Sequence, residues 1–112
     1  MAPFELRQEL QKFLRETRDE MLSLEYLLAV DQLPAETRRT SALMLSQIQV
    51  SYLKLRDAEL SDIRDELVKN EDALADAMNK AEKQLGKFNK IKARLDDVAA
   101  VLKLVGRVIA IV

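Results

Sequence analysis

The sequence predicts an all-α protein, and three observations support this. The chain of 112 residues has only 2 glycines and 2 prolines, far below their average usage of about 7% and 5%, so it can form few of the turns that a sheet requires. Hydrophobic residues make up 48% and charged residues 33% at a net charge of −1, unlike a polar disordered tail. Apolar residues recur at helical spacing. The length fits one helical domain over residues 1–112.

The first predicted helix covers residues 3–30. Its start is favoured by Pro3, which is well tolerated in a first helical turn. Steps of three and four residues define one apolar stripe, in which Thr17 fills the single gap. The apolar members of the stripe are Leu10, Leu14, Met21, Leu24 and Leu28.

The second predicted helix covers residues 34–57. Pro34 disfavours the α conformation in Leu33 but can itself begin a helix, so the chain stops and restarts here. Because the connection is short, the first two helices are expected to form an antiparallel helical hairpin.

The third predicted element is a long helix over residues 60–112, which bears a heptad seam. A pattern sustained for this length is typical of coiled-coil packing, and the uninterrupted helix would be about 80 Å long at about 1.5 Å per residue. We therefore expect an elongated helical bundle or coiled coil. The seam has sixteen positions, of which all but Asn70 and Gln84 are apolar: Leu60, Ile63, Leu67, Asn70, Leu74, Ala77, Ala81, Gln84, Phe88, Ile91, Leu95, Val98, Leu102, Val105, Ile109 and Val112.

The two polar seam residues, Asn70 and Gln84, have two interpretations. A polar residue in a coiled-coil seam restricts register and partner choice at some cost in stability. Alternatively, Asn70 is a helix N-cap followed by the acidic Glu71 and Asp72, and Gln84 faces solvent. A second alternative break lies near Gly86, a residue that commonly follows a helix end.

Charge is segregated along this segment. Residues 57–76 have a balance of −6 and residues 80–94 a balance of +5, so two long helices crossing antiparallel near Ala77 would pair opposite charges. The basic block includes a stripe at helical spacing: Lys80, Lys83, Lys87, Lys90 and Arg94. Nucleic acid is an improbable partner for this stripe, because the chain is negative overall and Phe88 is the only aromatic residue nearby.

The C-terminal segment 98–112 is apolar on nearly every side of its helix. Beside the seam it adds an apolar surface made of Val101, Leu104, Val108 and Ile111. A helix of this kind must be buried on most sides. It is expected in the chain's own fold or a self-assembly, in a groove of another protein, or in a membrane.

Composition argues against catalysis. The chain lacks cysteine and histidine, which removes thiolate and imidazole ligands for zinc and the usual Cys/His and Ser/His nucleophiles. We therefore expect no enzyme activity, catalytic residue, metal, cofactor or small-molecule substrate. No apolar run matches a secretory signal or a bilayer span. A cytoplasmic location is expected, and secretion by a route without such a signal remains open.

Together these features predict a non-enzymatic protein–protein interaction module. It would associate with itself or with another helical protein through the seam over residues 60–112, as a subunit, adaptor or inhibitor of a larger complex. The alternative is a membrane-active helical protein whose segment 98–112 enters a lipid bilayer or a pore assembly.

Overall fold

The computed structural model describes residues 1–110, which form six α-helices and no strand. The all-α prediction is thereby confirmed for this part of the chain. The helices are α1 (Pro3–Met21), α2 (Leu24–Asp31), α3 (Ala35–Asp57), α4 (Leu60–Lys69), α5 (Glu71–Glu82) and α6 (Ile91–Ile109), with a short 3₁₀ helix at Phe88–Lys90.

The core lies between α1, α3 and α6, and α4 and α5 close it. Helix α1 packs on α3 and α4, while α6 packs on α3 and folds back along α5 as a helical hairpin. The radius of gyration of 14.1 Å is near the roughly 13 Å expected for a compact chain of this length. The molecule measures 44 × 23 × 19 Å, so an elongated bundle around an 80 Å helix is not what forms.

The predicted helix over residues 3–30 is wrong in its continuity, because it breaks at Leu22 and Ser23. The Ser23 hydroxyl donates to the Glu20 carbonyl over 2.7 Å and accepts from the Tyr26 N–H over 3.2 Å. One side chain therefore both ends α1 and caps the start of α2. Serine competes in this way with backbone helix hydrogen bonds, and the break changes which leucines face the core.

The single continuous helix over residues 60–112 is also wrong, since the chain breaks at both alternative positions. The first break is a kink at Asn70. Its side-chain amide donates over 2.7 Å to the Glu66 carbonyl, which also accepts the Asn70 backbone N–H over 3.0 Å. Asn70 is buried at this kink and makes no side-chain hydrogen bond as an N-cap of α5. Asn70 is thus the residue at which α4 ends and α5 begins, and its carbonyl accepts the Leu74 N–H over 2.8 Å.

The second break is the turn over residues 83–90, where Gly86 has a φ of +77°. This left-handed backbone conformation is strained for residues with a Cβ atom but free of that strain in glycine. It reverses the chain between α5 and α6. The heptad spacing continues across the turn, although the helix does not.

Alanine substitutions at Gly86 and at Gly106 are expected to change the free energy of unfolding in opposite directions. A Cβ added at either position meets nothing within 4 Å, so only backbone conformation changes. Gly86→Ala should destabilise the fold by about 1 kcal/mol through left-handed strain. Gly106→Ala, in the exposed interior of α6, should stabilise it by about 0.5–1 kcal/mol. Urea unfolding followed by circular dichroism measures both, and equal shifts would contradict the turn at Gly86.

The fold changes the role of the predicted interaction seam. All fifteen seam positions from Leu60 to Ile109 are buried or half-buried in the chain's own core, while Val112 lies outside the described residues. Folding α6 back on α5 brings one half of the seam against the other and against α1 and α3. The seam is therefore core packing of a single chain and not an open contact surface.

Candidate interaction surface

Most of the apolar C-terminal surface is buried in the same core. Val101 and Val108 are fully buried, Leu104 is half-buried, and Ile111 lies outside the described residues. Within residues 1–110, none of the helices combines the length and apolar composition needed to cross a bilayer. Up to Ile109, the apolar faces of this segment pack against the protein itself.

The predicted basic stripe is divided by the turn at Gly86. Lys80 lies on α5, Lys83 and Lys87 in the turn, and Lys90 at the end of the 3₁₀ helix, all of them exposed. Arg94 is not part of this surface, because its side chain is only 3% exposed and points into the fold. The stripe prediction is therefore wrong for Arg94, because after the reversal of the chain at Gly86 this residue lies on the buried face of α6, where it pairs with Glu20 of α1.

Arg94 forms a buried ion pair that links the two ends of the chain. Its Nε lies 3.0 Å from Oε1 of Glu20, whose side chain is 9% exposed, and its guanidinium also donates to the Ala81 carbonyl. The second oxygen of Glu20 accepts the Gly86 N–H over 3.2 Å. These bonds fasten the turn over residues 83–90 to the end of α1, next to the start of α2.

Tyr26 holds α2 against α3 and against the same turn. Its side chain is 1% exposed, and its hydroxyl shares a 2.8 Å hydrogen bond with the hydroxyl of Ser41 on α3. Its ring meets the Phe88 ring edge-on, with centroids 6.1 Å apart. Burial raises the pKa of Tyr26, because the phenolate is poorly solvated there.

Removing the Tyr26 hydroxyl should weaken the fold and change its alkaline behaviour. Tyr26→Phe leaves Ser41 without this partner and should cost about 1 kcal/mol at pH 7. Because folding raises the pKa, the neutral form stabilises the wild type below about pH 10, and this contribution is lost as pH rises further. Urea midpoints between pH 8 and pH 11 should therefore fall less steeply in Tyr26→Phe than in the matched Tyr52→Phe control. Parallel curves would contradict a buried Tyr26.

With Tyr26 turned inward, the leucines of α2 face solvent. Leu24, Leu27 and Leu28 lie at spacings of three and four residues, opposite Tyr26 on the helix. Together with two neighbouring leucines they form what we call the leucine patch. Its members are 49–70% exposed: Leu22, Leu24, Leu27, Leu28 and Leu85.

Leu85 belongs to this patch because of the contacts of its neighbours. It directly precedes Gly86, which is bonded to Glu20, and Phe88 packs on Tyr26. The turn over residues 83–90 thus lies alongside the segment from Glu20 to Tyr26, and the 3₁₀ helix contacts α2. Leu85 therefore lies near the start of α2, and we group it with the α2 leucines in the patch.

The other exposed large apolar side chains fall into two smaller groups. Leu43, Val50 and Leu53 are spaced along three turns of α3, and Met1, Phe4 and Val68 lie near the ends of α1 and α4. The patch thus contains five of the eleven such residues found in the described part of the chain. Clustering of this kind is typical of a contact surface, whereas scattered exposed leucines are ordinary.

Of two grooves beside Lys92, one contains the carboxylates of Glu36 and Asp96, and the other contains none. The second groove, of about 410 Å³, runs from Leu33 and Pro34 to the 3₁₀ helix and the start of α6. Its polar lining consists of Thr37, Asn89, Lys90 and Lys92, with no carboxylate to act as a general base. Among residues 1–110, no three acidic side chains gather into a group able to hold a metal ion.

Sequence reasoning missed the leucine patch because it assigned Leu24 and Leu28 to the buried stripe of a longer helix. The residues of that stripe are buried as far as Met21, and the stripe does not continue into α2. The signal was Ser23, a good N-cap residue followed by Glu25 in a first helical turn. Because the helix restarts at Ser23, Tyr26 enters the core, and Leu24 and Leu28 become exposed to solvent.

Comparison of the chain with protein-family models, with curated proteins and with solved structures finds no match.

Proposed function

We propose that this protein is a non-enzymatic protein–protein interaction module that binds through the leucine patch. The observation that supports the proposal most strongly is the arrangement of α2. This helix of eight residues inserts Tyr26 into the core and presents Leu24, Leu27 and Leu28 to solvent. The contacts of Tyr26 with Ser41 and Phe88 hold α2 in the fold. The apolar outer face of α2 is therefore free to contact a partner.

The energetics of the patch favour binding over a structural role. Full burial of an exposed leucine side chain yields about 1.5–3 kcal/mol, and these side chains, which stay 49–70% exposed, have released only part of it in folding. Covering the patch with a partner would release much of the remainder. The proposed contact surface therefore differs from the seam that the sequence predicted, because the seam residues are buried in the core of the chain.

Site-specific photo-cross-linking tests this proposal. A photoreactive phenylalanine analogue is placed at Leu28 or, as a matched control, at Val50, which is 49% exposed on α3. In an extract of the cells that make the protein, position 28 should yield a discrete adduct and position 50 should not.

Competition shows whether the adduct reflects the patch. An excess of unlabelled wild-type protein should suppress an adduct with a different protein and increase an adduct with a second copy of this chain. The Leu24→Ser/Leu28→Ser variant should do neither, because it is expected to keep the fold but lacks the apolar contact. Equal labelling from positions 28 and 50, or equal competition by the variant, would contradict an interaction through this patch.

A further inference from the structure

We infer that the leucine patch binds a second copy of this chain in a two-fold symmetric contact. In this arrangement α2 of one protomer faces the turn over residues 83–90 of its partner, and the leucines lie between them. The inference rests on the proposed interaction function and adds the identity of the partner. It is supported by the opposite charges on the two sides of the patch.

The α2 side of the patch is acidic. Residues 19–37 contain five acidic residues and no lysine or arginine. Of these, Glu20 is neutralised by Arg94 inside the fold. Glu25 and Asp31 on α2 are exposed, and neither forms an ion pair with any residue in the range 1–110. Both carboxylates flank the exposed leucines.

The turn side of the patch is basic. Residues 83–92 contain four lysines and no acidic residue. Lys83 and Lys87 flank Leu85 directly, all three are exposed, and neither lysine is paired within the described residues. The turn is held against the α1–α2 junction by Glu20, so the basic and acidic sides keep a defined relation.

A surface with opposite charges on its two halves is complementary to itself under a two-fold rotation. The rotation places each acidic α2 on the partner's basic turn, with the leucines of α2 against the partner's Leu85, and the same contact occurs twice, as an isologous dimer requires. Placing α2 directly on the partner's α2 would instead bring Glu25 and Asp31 against like charges. An anionic membrane or a nucleic acid would meet the acidic side unfavourably, since both present negative charge.

Sedimentation velocity and light scattering of the whole chain test the dimer. The weight-average mass should rise from 12.8 kDa toward twice that value with concentration, with a Kd of about 1–100 µM as suits a small interface. High salt should weaken the association, because its charges remain near solvent. A mass of 12.8 kDa at every concentration would overturn the inference.

A charge-reversal exchange tests the pairing itself. Glu25→Lys/Asp31→Lys makes both sides of the patch basic, and Lys83→Glu/Lys87→Glu makes both sides acidic. Each variant alone should bind itself at least about tenfold more weakly than wild type. An equimolar mixture of the two variants should recover the wild-type affinity, and so should the chain that bears all four substitutions. Weakening without recovery would overturn the two-fold arrangement.

Leucine substitutions complete the test. Leu24→Ser/Leu28→Ser should remain monomeric at all concentrations, with an unchanged circular dichroism spectrum. Leu43→Ser/Val50→Ser on α3 is the matched control and should dimerise as wild type does. A dimer that persists in the α2 variant uses another surface and overturns the inference. If the chain is monomeric but position 28 still cross-links to a different protein, only the self-association fails and the interaction function stands.

Discussion

Glu20→Gln is expected to lower the free energy of unfolding by about 3–5 kcal/mol, because it leaves the buried guanidinium of Arg94 without its counter-charge. The substitution keeps the size and shape of the side chain, so packing is preserved. Arg94 is 3% exposed and cannot reach water to compensate. Since small domains are stable by only about 5–15 kcal/mol, a loss of this size should lower the thermal midpoint strongly.

Chemical denaturation followed by circular dichroism measures this effect against Asp19→Asn. Asp19 pairs with Arg18 at the surface, where an ion pair is worth only about 0–1 kcal/mol, so this neighbouring control should change little. Adding Arg94→Met to Glu20→Gln removes the stranded charge and should recover part of the stability. If Glu20→Gln cost no more than Asp19→Asn, the buried ion pair would not exist as described.

The ion pair also connects stability to the proposed dimer. Glu20 holds the Gly86 N–H and therefore fixes the turn that bears Leu85 and the lysines beside α2. Where Glu20→Gln remains folded, we expect it to weaken self-association as well, although Glu20 itself does not lie on the contact surface.

Val101→Asp is expected to have an effect of similar size at the other end of the core. Val101 is fully buried on α6, and a carboxylate there loses its hydration without gaining a partner. The expected cost is about 4 kcal/mol or more, enough to unfold a large fraction of the protein.

Ala100→Asp is the matched control, because Ala100 is adjacent in sequence but exposed on α6. It should cost less than about 1 kcal/mol, mainly through the lower helix propensity of aspartate. The comparison uses urea unfolding at neutral pH with Val101→Thr as a milder variant that remains folded. If the aspartates at positions 100 and 101 were equally tolerated, residues 98–109 would not pack in the core of their own chain.

Much of the fold follows from local pattern. The low glycine and proline content and the helical periodicity predicted the all-α class, and Pro34 predicted the break between α2 and α3. The heptad spacing also identified the buried face: Ile63, Leu67 and Leu74 all lie in the core. A periodic pattern reports which face leaves water, because that depends only on side-chain spacing along a helix.

The same pattern cannot report what covers that face. The seam stays in register across Asn70 and Gly86, so it looks identical whether the helix continues toward a partner or folds back. The helix is interrupted at Asn70, whose side-chain amide bonds to the Glu66 carbonyl, and at Gly86, which adopts a positive φ. Both local features were visible as alternatives, but their outcome required the competing packing of α6 on α3 and α5.

The sequence by itself therefore determined the helical class, the connection at Pro34 and the buried face of the helices between residues 60 and 109, since these depend on neighbours a few residues apart. Only the tertiary structure decided that the long segment forms a hairpin, that Arg94 joins Glu20, and that the leucines of α2 remain exposed. These features depend on contacts between residues up to 74 positions apart. Spacing along the chain contains no information about such distances, and packing of the whole chain resolves them.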